Sequence, residues 1–251
     1  MLDKIDIEDI KAIAIEAGGA IMEIYQKDFT VEYKDDNSPL TKADIVSNNI
    51  ISTSLEKKYP DIPILSEENQ EIPYEVRKNW DYYWCIDPID GTKEFISKNG
   101  EFTVNISLIF KSIPILGVVY APFLNEIYYA KKGFGAYKDG KRLPLRINSN
   151  PKEKLIVVAS KSHLSKETQD FIDTLNSKNL EQVSKGSSLK LCMVAEGIAD
   201  IYPRLAPTME WDTSAAHAIV LESGKEVIQY IDNRPLIYNK KSLLNPWFIV
   251  R

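Results

Sequence analysis

Two aspartates three residues apart, Asp87 and Asp90, sit in Trp84-Cys85-Ile86-Asp87-Pro88-Ile89-Asp90-Gly91-Thr92, where an apolar run enters a turn and the helical segment KEFISK follows. A turn there aims both carboxylates at one point, and such a pair repels unless a proton or cation is shared between them. Hard divalent cations bind oxygen; Mg²⁺ takes few carboxylates and leaves room for water and a substrate phosphate. Gly91 permits close backbone approach, and the N–H groups of Gly91 and Thr92 would face an anion at a helix start. The competing reading is plain turn chemistry, with Asp-Pro and Asp-Gly as turn formers and Asp90 as a cap.

Three other acidic positions share this placement. Ser66-Glu67-Glu68 follows the apolar run from Ile62 to Leu65, Asp212 follows Trp211 at a helix start, and Asp44 lies in the first helical turn after Thr41. Each alone is an ordinary surface or helix-start acid. With the Asp87–Thr92 turn they form a set.

The elements that must position this set follow from periodicity. Residues 7 to 25 carry Ile7, Ile10, Ile13, Ala14, Ala17, Ile21 and Ile24 at helical spacing, with Asp6 as N-cap. VEYKDDNSP (31 to 39) predicts a strand entering a polar turn, and a second helix runs from near Thr41 to before Pro60. Ile62 to Leu65 and Tyr82 to Ile86 are expected as buried strands, the latter stopped by Pro88. Phe102, Val104, Ile106, Leu108 and Phe110 alternate with Thr103, Asn105 and Ser107, the period of a strand with one buried face. Closely spaced runs at 115–120, 127–130 and 136–137 extend an antiparallel sheet. Beyond the polar stretch 146–154, strand and helix patterns alternate: a strand at 156–159, helices at 165–175 and 187–196, a strand near Ile201, a helix after Trp211 and a strand at 227–231. The expectation is an α/β chain, with an α+β half over residues 1–148 carrying the antiparallel sheet and an α/β half over 149–251.

Composition bounds what such a site would serve. The 251 residues carry 31 Lys and Arg against 36 Asp and Glu, a net charge of -5. A chain of this length needs no disulfide or metal staple, and its 44% hydrophobic content is that of a globular protein. No basic block is present, which argues against a nucleic-acid polymer or an anionic membrane as partner. Cys85 and Cys192 fit no metal spacing and are expected as buried hydrophobes of a reducing compartment. The acidic start MLDKIDIEDI is unlike a signal peptide, and no run is long enough to span a bilayer, so a cytoplasmic protein without an integral membrane segment is expected. Two histidines leave little room for a Ser-His-Asp or multi-His zinc site, so carboxylates should carry the chemistry.

Taken together, Ser66-Glu67-Glu68, Asp87-Pro88-Ile89-Asp90-Gly91-Thr92 and Trp211-Asp212 resemble the inositol monophosphatase superfamily of Mg²⁺-dependent, lithium-sensitive phosphatases, over nearly the whole chain. Lys93-Glu94-Phe95, GVVYAP (117 to 122), GSSLK (186 to 190), VAEG (194 to 197) and YPR (202 to 204) are similar to its CysQ-type 3'(2'),5'-bisphosphate nucleotidases. The resemblance implies a layered αβαβα sandwich with the site between the halves, and a nucleotidase of sulfur metabolism. It implies that Glu67, Asp87 and the Ile89 carbonyl hold one Mg²⁺, that Asp87, Asp90 and Asp212 hold a second, and that a third, weaker site lies near Glu67. Asp44 and Thr92 would orient and deprotonate the attacking water, and Gly91 and Thr92 would steady the phosphoryl oxygens. Ser187, Lys190, Arg204 and His163 would lie near a small nucleotide bisphosphate, 3'-phosphoadenosine 5'-phosphate. Where the family has glycine two or three residues after the Thr213 position, this chain has Ser214-Ala215-Ala216, and Ala216 adds a methyl. The rivals are an inositol or sugar phosphatase of the same superfamily and a catalytically silent nucleotide or metal sensor.

Other signals are set aside. Gly135 to Lys141 has P-loop spacing, but Arg142 stands where Ser or Thr is needed, so Lys138-Asp139-Gly140-Lys141 is expected as a hairpin turn. Asn105-Ile106-Ser107 matches a glycosylation sequon on a predicted strand. His217 is expected as a packed residue. The stretch from Glu67 to Trp84 is expected as a surface excursion, with the character of a mobile lid.

Overall fold

Nineteen residues from Ile7 to Tyr25 form α1, capped by Asp6, whose side chain accepts the Glu8 N–H. Its buried stripe, Ile10, Ile13, Ala14, Ala17, Gly18, Ile21 and Tyr25, follows the 3.6-residue period of the sequence. The structure, a computed structural model, describes residues 1–27, 31–33, 39–69, 72–146, 154–160, 164–175, 177 and 179–251. A small antiparallel pair, β1 (Val31–Tyr33) and β2 (Pro39–Thr41), leads into α2 (Lys42–Lys58). Next come β3 (Ile64–Ser66), α3 (Tyr74–Arg77), β4 (Tyr82–Asp90), α4 (Thr92–Ile96), β5 (Thr103–Phe110), β6 (Ile113–Ala121), β7 (Glu126–Lys131), β8 (Gly135–Lys138) and β9 (Lys141–Arg142).

Strands β3 to β9 make one seven-stranded sheet in sequential order, antiparallel throughout except for β3 and β4. That one parallel pair makes the sheet mixed, while the strands from Phe102 onward, β5 to β9, pair antiparallel as the sequence pattern predicts. Strands β3 and β4 run the same way. Both therefore end at the same edge, which brings Glu67 beside Asp87: the Glu67 N–H donates to Ile86 O at 3.2 Å. In the segment between them, buried Arg77 donates to Asn239 Oδ1 at 2.8 Å and to the carbonyls of Lys240 and Lys241 at 2.6 and 2.9 Å. The excursion is thus pinned at its helix, contrary to a freely moving lid.

The second half runs β10 (Leu155–Ala159), α5 (Lys166–Thr174), β11 (Leu180–Ser184), α6 (Leu189–Glu196), β12 (Tyr202–Arg204), α7 (Glu210–Glu222), β13 (Val227–Gln229) and β14 (Phe248–Val250). Parallel β10 and β11 and the antiparallel trio β12-β14-β13 are linked by one bridge, Val157 to Ile201. Helices α1 and α2 cover one face of the seven-stranded sheet, α7 covers the other, and α6 packs beside α7 beneath the smaller strands, with α5 outermost. These layers are the αβαβα arrangement. The expected boundary at residues 148 and 149 lies outside the described residues. One hydrophobic core joins Leu65, Tyr83, Val119 and Tyr128 of the first half to Val158, Leu191, Trp211 and Phe248 of the second.

Helix α7 approaches β6 closely because position 117 is glycine: a Cβ there would lie 2.1 Å from Ala215 O. Ala215 and Ala218 of α7 make this contact, and Ala216 is buried in the shared core and is not among the residues lining the cleft. Asp139 and Gly140 form the expected two-residue hairpin turn, both with positive φ.

Two strand expectations need correction. Strand β4 does not stop at Pro88 but runs to Asp90, with a bulge: Asp87 pairs with Asn105 and Asp90 with Thr103, so Pro88 and Ile89 together face one residue of β5. Proline is tolerated there because a bulge breaks the ladder anyway. Strand β5 is buried on both faces, its polar residues included, because α7 covers the side that the alternation left for solvent.

Candidate active site

The bulge in β4 sets the geometry. It turns Asp87 and Asp90 toward the same side, and α7, entering from the second half, adds Asp212 from its first turn. Each of the three offers an oxygen within 4.8 Å of the others. One oxygen of each is held by a backbone N–H: Asp87 Oδ1 by Ile89 at 3.1 Å, Asp90 Oδ2 by Ser188 at 2.5 Å and Asp212 Oδ2 by Met209 at 2.9 Å. The second oxygen of Asp87 is buried with no partner.

Burial and mutual repulsion dominate the electrostatics. Burial pushes the Asp87 carboxyl well above its usual value, and Glu67, Asp90, Asp212 and Asp44 push it further. Asp212 is raised in the same way, first by burial and then by Asp90 and Glu67. Burial lifts Asp90 to about 6, while Lys190 and the Ser188 N–H restrain it. A donor set of carboxylates alone, one oxygen of it orphaned, fits a hard divalent cation such as Mg²⁺, which would remove this repulsion. Asp87, Asp90 and Asp212 could hold such an ion, with Glu67 and the Ile89 carbonyl on the adjoining side.

Asp44 occupies the third position of α2 and closes a capping box with Thr41, whose N–H and Oγ1 each donate to Asp44 Oδ2 at 2.7 Å. Its other oxygen accepts from Thr92 Oγ1 at 3.3 Å, and the same hydroxyl lies 3.2 Å from Ile89 O. Burial raises the Asp44 carboxyl, offset in part by the Thr41 bonds. The Asp44–Thr92 pair expected from sequence is therefore present as a hydrogen bond. Ser47 supports it from below, donating to Pro88 O at 2.9 Å. Gly91, at φ +92°, makes the turn between β4 and α4.

The same cleft also carries basic residues. Lys190 Nζ donates to Ser187 O at 2.6 Å and Lys185 O at 3.3 Å. Burial pulls its ammonium down to about 8, and the nearby Arg204 charge adds to the effect while Asp90 opposes it. Arg204 donates to Pro207 O at 2.7 Å, and its Nε has no partner. Ser187, held at φ +45°, and Thr208 likewise present buried hydroxyls without partners. Glu67, Asp90, Gly91, Thr92, Ser187, Lys190, Arg204 and Asp212 all line this one cleft. His163 lies outside the described residues.

Ser160 and Thr208 also line it without being named from sequence, whereas Glu94 and Tyr202 were named only within the Lys93-Glu94-Phe95 and YPR stretches and Thr213 only beside Trp211-Asp212. Thr208 and Thr213 flank Trp211-Asp212, so proximity to that motif was the available signal. Thr41 was visible only as a helix start, although Thr-x-x-Asp is itself a capping-box pattern. His217 is buried and bonded to Tyr238 through Nδ1 at 2.9 Å, and burial holds its imidazole down near 3. Cys85 and Cys192 are buried and free. No helix among the described residues is long and apolar enough to cross a membrane.

Known proteins share this arrangement. The CysQ 3'(2'),5'-bisphosphate nucleotidase of Escherichia coli (strain K12) is 44% identical over 247 residues, 97% of this chain and 98% of that protein. Its namesake from Haemophilus influenzae is 37% identical over 252 residues, 97% and 91% of the two chains. The crystal structure of CysQ from Bacteroides thetaiotaomicron, a bacterial member of the inositol monophosphatase family, superposes with a TM-score of 0.88 at 44% identity, covering 98% of this chain and 96% of that one. The inositol monophosphatase of Anabaena shares the fold, with a TM-score of 0.76 at 24% identity over 97% and 89% of the two chains. The pattern of the inositol monophosphatase family matches residues 1–247, and with these relatives it shows that the chain belongs to that family.

Proposed function

We propose that this protein is a Mg²⁺-dependent 3'(2'),5'-bisphosphate nucleotidase that hydrolyses the 3'-phosphate of 3'-phosphoadenosine 5'-phosphate, releasing AMP and phosphate. The observation that carries this reading is one cleft that holds two chemically opposite sets of groups. Asp87, Asp90 and Asp212 converge within 4.8 Å, and Asp90 and Asp212 line the same cleft as Lys190, Arg204 and the unpartnered hydroxyls of Ser187 and Thr208. A substrate with two phosphates satisfies both sets. The relatives named CysQ 3'(2'),5'-bisphosphate nucleotidase, 44% identical over nearly the full length, support the same substrate class.

The carboxylates with Glu67 and the Ile89 carbonyl would hold two Mg²⁺, which when bound supply an acidified water and neutralise charge on the phosphoryl and leaving oxygens. Thr92 Oγ1 lies 3.3 Å from Asp44 Oδ1 and 3.2 Å from Ile89 O, and with its proton turned to Asp44 its oxygen is an acceptor for a hydrogen of the attacking water. As that water attacks, its proton passes to Thr92 Oγ1 and the Thr92 proton to Asp44. Burial makes Asp44 a stronger base than an exposed aspartate and suits it to this role. Lys190 and Arg204 bind and orient the non-reacting phosphate, and the backbone N–H groups after Gly91 face the reacting one.

The test compares kcat/KM for 3'-phosphoadenosine 5'-phosphate, inositol 1-phosphate and fructose 1,6-bisphosphate, each with Mg²⁺ and with EDTA. The nucleotide should be preferred and EDTA should abolish turnover. Preference for either other substrate would transfer the chain to that branch of the family, and absence of Mg²⁺-dependent phosphate release would make it a silent binder.

A further inference from the structure

Thr103, Asn105 and Ser107 stand on β5 with 0%, 1% and 0% exposure and take no part in the reaction above. A polar side chain in a doubly covered strand is costly unless paired, so the partners of these three show what they do. Ser107 spends its hydroxyl on other partners, within 2.9 Å of Cys85 O and 2.7 Å of Ser214 Oγ on α7. The other two meet Ser188, itself 1% exposed, which arrives from the second half of the chain just before α6. Ser188 Oγ donates to Asn105 Oδ1 at 2.9 Å, so the 2.9 Å contact with Thr103 must have Thr103 as donor. Asn105 then has its amide group free to donate, and it reaches Asp90 Oδ2 at 3.5 Å. The Ser188 backbone N–H meets the same oxygen at 2.5 Å. The donors thus run in one direction, Thr103 to Ser188 to Asn105 to Asp90, and end on a single carboxylate oxygen.

We propose that Thr103, Ser188 and Asn105 are positioning residues that fix the Asp90 carboxylate for metal binding, holding Oδ2 so that Oδ1 alone is presented to the ion. The inference rests on the proposed role of Asp90 as a metal ligand. The relay ties that ligand across the two halves: Asn105 and Thr103 belong to the sheet, Ser188 to the loop that also supplies Ser187 and the carbonyl under Lys190. Metal affinity is therefore set by residues that touch neither metal nor substrate, and the orientation of Asp90 depends on the docking of the second half. Partners of this kind, removed from metal sites elsewhere, cost about 10- to 100-fold in affinity or activity.

The experiment titrates the full chain with Mg²⁺ by calorimetry, without substrate, and records the melting temperature of the metal-free form. Asn105→Ala should weaken Mg²⁺ binding about 10- to 100-fold. Thr103→Val, which removes only the far hydroxyl, should weaken it by a smaller factor, and Thr103→Ser should restore it. Ser107→Ala is the control for packing on the same strand and should leave Mg²⁺ affinity unchanged even where it lowers the melting temperature. If Asn105→Ala fails to fold, the Thr103→Val and Thr103→Ser pair decides. Wild-type Mg²⁺ affinity in both Asn105→Ala and Thr103→Val, or equal weakening in Ser107→Ala, would overturn the relay. If Asp90→Asn itself binds Mg²⁺ as tightly as wild type, the metal role of Asp90 falls, and the relay falls with it. Loss in Asp90→Asn alone refutes only the relay.

Discussion

Replacing Asp90 by asparagine should do two opposite things at once: destroy activity and stabilise the metal-free fold. The side chain keeps its shape, and its amide oxygen can still accept the Ser188 N–H that Asp90 now takes at 2.5 Å. What disappears is a charge. Burial, as the leading cause, raises the Asp90 carboxyl from 3.8 to about 6 in the folded protein. The native state therefore keeps this proton to higher pH than the unfolded chain does. Stability from this group is full below about pH 4 and falls as pH rises through the window from about 4 to about 6. At about 1.4 kcal/mol per unit, the loss above that window is on the order of 3 kcal/mol. For a protein of this size, about 2–4 °C per kcal/mol, the metal-free variant should melt about 6–12 °C above metal-free wild type near neutral pH. Mg²⁺ should reverse the ranking once it reaches about 1,000 times Kd, where binding adds about 4.1 kcal/mol to wild type and little to the variant. Scanning calorimetry in EDTA and in Mg²⁺ across this pH range, with turnover measured alongside, reads every part of this. A metal-free variant that melts at or below wild type near neutral pH would refute the repulsion argument, and retained turnover would refute the metal assignment.

Three further outcomes follow from other parts of the site. Lys190→Ala removes a buried ammonium from the cleft and should raise KM for 3'-phosphoadenosine 5'-phosphate about 10- to 100-fold, the worth of a charged hydrogen bond. KM for a simple phosphomonoester should change far less, and equal changes would remove Lys190 from the second phosphate. Thr92→Val deletes the hydroxyl that reaches Asp44 and should lower kcat by about 10²–10⁴ while Mg²⁺ binding, read by calorimetry, stays near wild type; a kcat unchanged within twofold would show that another group takes the proton. Gly117→Ala forces a Cβ to within 2.1 Å of Ala215 O unless α7 shifts, and should cost about 1–3 kcal/mol. An unchanged melting temperature would mean that α7 does not bear on β6.

Helix periodicity and the acidic motifs were legible because each is local. The stripe of α1, the start of α2 near Thr41 and the Asp87–Asp90 spacing need only a few consecutive residues to be recognised. What escaped notice depends on the second half of the chain folding back. The alternation on β5 described one buried face correctly, yet nothing near it in sequence announces that α7, about a hundred residues later, covers the other. Pro88 was read as a stop because its lost N–H breaks a regular ladder, but the bulge that accepts it exists only in the pairing with β5. Strand β14 was missed because Phe248, Ile249 and Val250 are too few for a period to show, although they form the middle of a three-stranded sheet. The Ser188–Asp90 bond joins residues 98 apart, so the precise aim of the carboxylate was beyond any local pattern.

Helix α7 has almost no solvent face: Glu210, Trp211 and every residue from Thr213 to Val220 are buried between the large sheet and the smaller strands. Amides in such a helix have no low-energy local opening through which to meet solvent, so their hydrogen exchange should proceed only by global unfolding. Asp212 is thereby mounted on a helix expected to exchange slowly, in contrast to sites carried on exposed loops. Exchange rates along α7, compared with and without Mg²⁺, would report the stabilisation of the whole chain by its metal from a single stretch of backbone.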